Sequence, residues 1–276
     1  MSEYKDGESP LTGMIKSGAG ALGIATGAAM GGFVAGPLGA IGGATAGALL
    51  QDAMKAVAGD VAARFTSQTE QKRMGAMYVL ALESVAARLN GGERPRSESF
   101  FRPQARRQAK QLRSEAEELL EGAFLAARKA YEERKVALLA NFYTNVVFTD
   151  DLDTGHANYI LSLMDSLTYR QLLSIFIIGS GQMKNLIRTR DFRNDETLEP
   201  LQIGVLFEIY QLIKLDLVTD AQGHYILGVA NINPSQLRLQ GTGAQLFNLM
   251  RPLTLDFDDY GYFINAFKPD FLSPLP

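Results

Sequence analysis

The residues with the clearest chemical potential are few. Asp150, Asp151 and Asp153 with His156 gather oxygen and imidazole ligands of the kind that hold divalent cations. The spacing lacks the glycine and terminal glutamate of a calcium loop, so the cluster reads instead as the capped start of a helix near Thr154. There is no cysteine, which excludes disulfides, thiolate zinc sites and cysteine nucleophiles. His156 and His224 are the two imidazoles, and neither has a nearby serine on a strained elbow. The carboxylates lie in charge-mixed helices without a defined pair. Gly241-Thr242-Gly243 lacks the third glycine and the surrounding unit of a dinucleotide site, and no phosphate loop is present. No catalytic residue, metal site or cofactor is expected, and the chain does not read as an enzyme.

What remains is a chemistry of packing. From Ser17 to Gln51 no residue is charged, and eleven of the 27 glycines fall between Gly18 and Gly47. Their companions are Ala, Leu, Ile, Val, Met and Phe, whereas a flexible linker pairs glycine with serine and other polar residues. Gly23, Gly27 and Gly31 recur at intervals of four, as do Gly39, Gly43 and Gly47, which is one face of a helix in each case. Gly36-Pro37 lies between the runs, glycine suited to ending one helix and proline to opening the next.

Facing residues of an antiparallel hairpin have numbers that add to a constant. Gly23 with Gly47, Gly27 with Gly43 and Gly31 with Gly39 obey one constant, so each glycine of one run would face a glycine of the other. Close backbone approach maximises van der Waals contact, the main attraction between helices in lipid. The first arm, Ser17 to Ala35, is roughly 28 Å of helix and long enough to span the hydrocarbon core. The second arm is apolar only from Leu38 to Gln51 and continues amphipathically through Asp52, Lys55, Asp60 and Arg64. Glycine and alanine contribute little transfer free energy, so insertion would be conditional. The uncharged turn would cross, leaving both termini on the cytoplasmic side. The alternative is a buried Ala/Gly hairpin inside a soluble fold.

The segment Gly18–Gly47 resembles the glycine-zipper hairpins of membrane-inserting bacterial proteins, including toxin, pore-forming and two-transmembrane families. That resemblance implies a lipid bilayer as partner, homo-oligomers on it, and a protein made in the cytoplasm that associates with the inner membrane. The acidic first sixteen residues are unlike the basic leader of a secretory signal. A net charge of −3 gives no general attraction to phosphates, so nucleic acid is not the expected partner.

The remaining elements must carry and restrain this hairpin. Ser67 and Glu70 have capping-box spacing before a helix running to about Asn90, which Gly91-Gly92 ends. Glu93 to Pro103 has the composition of a surface loop and is the expected boundary or hinge. One long helix is expected from about Pro103 to Phe148, burying Leu112, Leu119, Ala123, Phe124, Ala127, Tyr131, Leu138 and Phe142. Arg102, Arg106, Arg107, Lys110 and Arg113 on its first turns could contact anionic lipid headgroups, or form a solvated face balanced by Glu115, Glu117, Glu118 and Glu121.

Helices follow from Thr154 to Asp165 and from Tyr169 to Ile178, the latter burying Leu172, Leu173, Ile175, Phe176 and Ile177. A further helix from Pro200 to Lys214 offers Ile203, Leu206, Phe207, Ile209, Tyr210 and Ile213 to the core. Strands are expected at Leu217 to Thr219 and Tyr225 to Val229 around the turn Asp220 to Gly223, with Leu237 to Leu239 as a third before a helix from Ala244 to Met250. This order resembles a small winged-helix module. Leu239-Gln240-Gly241-Thr242-Gly243 with Leu246 and Leu249 is similar to the C-terminal module of Abi-alpha-type abortive-infection proteins, which implies phage defence and a sensing or protein-binding role.

The expected fold is thus mainly α. A polar tail at 1–16 precedes a glycine-zipper helical hairpin at 17–65. A central helical domain with one long helix covers 66–165, its loop at 91–103. A C-terminal, winged-helix-like α+β module covers 166–276. The expected function is a membrane-acting effector whose hairpin inserts and self-associates. A soluble regulatory or binding protein, or a phage structural or ejection component, is the alternative.

Overall fold

The computed structural model describes residues 45–64, 67–103, 113–181, 184–195, 197–251 and 257–268. Gly23, Gly27, Gly31, Gly36, Pro37, Gly39 and Gly43 lie outside the described residues, as do the tail at 1–16 and Arg106, Arg107 and Lys110. The described chain is mainly helical with one two-stranded sheet. It divides into two compact units, the first ending at Ser166 but also including Leu249–Arg251, the second formed by the rest.

Unit one is built from α1 (Thr45–Arg64), α2 (Gln68–Asn90), α3 (Glu98–Phe101), α4 (Glu115–Lys129), α5 (Arg134–Val147) and α6 (Thr154–Ser166). Helix α4 packs against α1, α2, α5 and α6, which places it at the centre of the unit. It buries Leu119, Leu120, Ala123, Phe124 and Ala127, and α2 closes on it with Met74, Met77, Ala81 and Val85. Each such leucine, phenylalanine, methionine or valine contributes roughly 1.5–3 kcal/mol on burial, the alanines less. A Cβ on Gly122 would stand 2.8 Å from Leu161 Cδ2, so the small residue lets α6 approach α4 closely.

Four expectations fail in this unit. The single long helix is two, because Ser114 opens α4 with a complete capping box to Glu117 and the chain turns at Ala130–Glu133 before α5. Tyr131 sits in that turn and is 99 % exposed, opposite to its expected burial. The segment after Gly92 is not wholly a surface loop, since α3 buries Phe100 and Phe101 and the Arg96 N–H donates to the Val147 carbonyl at 2.8 Å. A capping box does not form at Ser67, whose side chain makes no cap hydrogen bond.

Unit two contains α7 (Tyr169–Ser180), α8 (Pro200–Lys214), β1 (Val218–Asp220), β2 (Leu237–Leu239), α9 (Gly241–Leu249) and α10 (Phe257–Ala266). Thr168 caps α7 through a box with Gln171, and Gly181 closes it in the left-handed conformation at φ 66°. All five residues expected to be buried on α7 are buried. Strand β1 pairs antiparallel with β2, Val218 opposite Leu239 and Asp220 opposite Leu237. The expected strand at Tyr225 to Val229 is absent: Tyr225 and Leu227 are exposed and the segment enters a short 3-10 turn at Val229–Asn231. Leu206 and Ile209 of α8 are buried as expected, but Ile203 and Phe207 are exposed while Val205 and Leu212 take core positions. Helix α10, not anticipated, packs on α7 and α8.

Candidate functional site

Of the segment expected to form the hairpin, only the end from Thr45 onward lies within the described residues. Helix α1 starts at Thr45, and Leu50, Ala53, Met54, Val57, Ala58 and Val61 follow at helical spacing, each 5 % exposed or less. They face α3, α4 and α2, while Asp52 and Asp60 are exposed. Gly47 is half-buried, and a Cβ added there would meet Leu89 Cδ1 of α2 at 3.8 Å, an ordinary contact. Gly47 therefore lies beside α2; the glycine assigned to face it, Gly23, is outside the described residues. Among the described residues no helix is long and apolar enough to cross a membrane.

Two members of the basic cluster are described, and both are engaged by carboxylates. Arg102 pairs with Glu98 at 2.6 Å. Arg113 bridges Asp60 of α1 and Glu121 of α4, tying the end of α1 to the centre of unit one. Glu117 is held in the Ser114 cap, and Glu115 accepts from the Thr154 hydroxyl.

The acidic cluster acts as local structure. Asp153 Oδ1 accepts the His156 N–H at 2.9 Å and so caps α6. His224 Nδ1 stands 3.5 Å from Asp220 Oδ1. Among the described residues no group of three or more His, Cys, Asp or Glu is placed to hold a metal ion. The Gly241-Thr242-Gly243 stretch also has a packing explanation. Gly241 adopts φ 46°, and Gly243 lies directly on the backbone of Leu217.

Several polar groups escaped sequence reasoning, the first two because their partners are distant in the chain. In unit two the Tyr169 hydroxyl donates to buried Asp259 at 3.2 Å, and Tyr262 donates to the Arg170 carbonyl at 3.0 Å. Burial pushes the Tyr262 hydroxyl well above the ordinary phenol range. Arg188, 4 % exposed, holds Asp195 through two hydrogen bonds and lies 3.9 Å above the Phe192 ring. The Arg188 guanidinium keeps the Asp195 carboxyl below the usual carboxylate range. In unit one the Tyr143 hydroxyl is fully buried without a hydrogen-bond partner, and burial pushes it far above the ordinary phenol range.

The described surface also contains an open recess of about 230 Å3 at the end of α8, lined by Lys214, Asp216, Thr219, His224, Tyr225 and Gln240. Asp216 has φ 56°, uncommon for a residue with a side chain. Compared with known protein families, curated proteins and solved structures, the chain matches none.

Proposed function

We propose that this protein is a membrane-acting effector of bacterial origin, whose glycine-zipper hairpin inserts into the inner membrane and self-associates there, with phage defence or a toxin-like system as its setting. The observation that carries the reading is the sequence itself: two glycine runs at helical spacing, in one antiparallel register, within an uncharged stretch from Ser17 to Gln51. Small residues in that arrangement favour close helix contact in lipid. The helical body would be sensor and restraint, and the bridge from Arg113 to Asp60 and Glu121 is the kind of contact such a restraint uses. Unit two, read as a winged-helix-like module on its β1–β2 pair and following helix, would receive the trigger from a protein partner. No catalytic step is proposed.

Expression of the full chain tests this. Wild type should sediment with membranes and leak dye from vesicles, and Gly27→Leu with Gly43→Leu should abolish the leakage by holding the two helices apart. Undiminished leakage in the double variant counts against the reading.

A second reading has its own support. Helix α1 buries six apolar residues in unit one, and Gly47 already sits beside Leu89, as in a hairpin packed within a soluble regulatory protein. Quantitative recovery from the soluble fraction, without vesicle association under any trigger, would favour it.

A further inference from the structure

We propose that unit two carries a second membrane contact, a docking face for the zwitterionic headgroup layer of a bilayer, made by the outer stripe of α8 and the loop after β1. The inference rests on the membrane reading above and adds a site that the hairpin does not supply.

Helix α8 satisfies its core with Val205, Leu206, Ile209 and Leu212, yet leaves Ile203 41 % and Phe207 52 % exposed. With Tyr210 and Lys214 these residues fall on one face, at i, i+4, i+7 and i+11. The loop adds Tyr225, 87 % exposed, and Leu227, 73 % exposed. Loop and helix form one surface, because the Tyr210 hydroxyl donates to the Leu227 carbonyl at 3.0 Å. The Lys214 ammonium lies 5.0 Å from the Tyr210 ring centroid and closes the strip at its end. Scattered exposed apolar residues are ordinary, but Ile203, Phe207, Tyr225 and Leu227, on a helix and a loop joined by half-buried Tyr210, mark an interaction surface.

The chemistry at the end of the strip identifies the occupant. The recess there is lined by both Lys214 and Asp216, each exposed, with Tyr225 and His224 on the same rim. The neighbouring carboxylates are engaged: Glu208 accepts from Arg170 at 2.7 and 2.9 Å, and buried Asp220 accepts the Gln222 N–H at 2.7 Å and faces His224. One exposed cation and one exposed anion lining the same recess have no net pull on an anionic surface. They match a headgroup that carries phosphate and amine together, the phosphate toward Lys214 and the amine toward Asp216 and the Tyr225 ring. The adjacent aromatic and aliphatic side chains then enter the boundary between headgroups and acyl chains, where tyrosine and a snorkelling lysine are favoured.

The chain has no tryptophan, so one introduced residue is a unique reporter in the full-length protein. Phe207→Trp is compared with Tyr131→Trp, whose site is 99 % exposed in unit one, using vesicles of phosphatidylcholine and phosphatidylethanolamine. Docking predicts a blue shift and protection from iodide for Phe207→Trp, none for Tyr131→Trp, and binding little changed by salt. Replacing both Tyr225→Ser and Leu227→Ser should weaken vesicle binding on the order of tenfold or more. Thermal unfolding checks that these surface variants remain folded. Flotation with vesicles while the Phe207→Trp reporter stays in water overturns the docking face and leaves the hairpin reading standing. No flotation of any variant withdraws both. A requirement for anionic lipid overturns the headgroup assignment. A blue shift that grows with protein concentration, without vesicles, overturns the proposal in favour of a second copy on this face.

Discussion

Gly243, in the first turn of α9, lies directly against the backbone of Leu217: a Cβ there would overlap the Leu217 carbonyl oxygen and stand 2.8 Å from its carbonyl carbon. The same carbonyl accepts the Gln240 N–H at 3.1 Å, so it cannot turn aside without losing that bond. The glycine lets the start of α9 rest on the chain entering β1.

Gly243→Ala should therefore destabilise the protein more than Gly241→Ala. Gly241 has φ 46° but open space around its Cβ position, which leaves only backbone strain of about 1 kcal/mol. Overpacking against backbone costs about 1–3 kcal/mol and adds to any propensity change. Denaturant unfolding of both variants measures the order, and equal midpoints would remove the assigned role of the Leu217 contact.

Helix caps give a second comparison. The Ser114 hydroxyl accepts the Glu117 N–H at 3.2 Å while Glu117 accepts the Ser114 N–H at 2.6 Å, and Thr168 with Gln171 repeats the arrangement. Ser114→Ala and Thr168→Ala should each cost about 1 kcal/mol. Ser67→Ala, at an exposed site with no side-chain cap bond, should change stability by less than about 0.5 kcal/mol. A loss at Ser67 as large as at Ser114 would show the expected Ser67 box to exist after all.

These caps also mark where the sequence was legible. Local signals carried most helix positions: Gly91-Gly92 ends α2, Gly181 ends α7, and Asp153 opens α6. The same kind of signal stands at Ser114-Glu115-Ala116-Glu117, but apolar periodicity runs past it through Tyr131, and this makes two helices look like one. Strand pairing was not legible, because nothing local to Tyr225–Val229 says that β1 takes Leu237–Leu239 instead. The outer face of α8 was misjudged for a related reason. An apolar residue at helical spacing does not tell which side a neighbour will cover; α7, α10 and β1 pack on α8, and Val205 and Ile209 are buried while Ile203 and Phe207 are not. The glycine pattern expected to pack in lipid runs from Gly23 to Gly47, and of its six glycines Gly47 alone lies within the described residues.

Lys135 supplies a prediction in which pH decides the sign. It is 6 % exposed, and its ammonium donates to the Asp165 carbonyl at 2.8 Å near the end of α6. Burial pulls its pKa below the ordinary lysine value, an effect that outweighs the attraction of Asp165 and Glu132. The unfolded chain therefore binds the proton more tightly than the folded one. Below the lowered folded pKa the lysine carries its full desolvation penalty. Between that pKa and the unfolded value of about 10.5 the penalty fades, so the contribution of Lys135 to stability becomes more favourable as pH rises. Lys135→Met removes the titration while keeping the apolar stem. The difference in urea midpoint, variant minus wild type, should be greatest near pH 7 and fall toward pH 10, since titrations elsewhere are common to both proteins. A difference that stays constant or grows with pH would mean that the ammonium is not penalised by burial, and that its bond to the Asp165 carbonyl compensates fully.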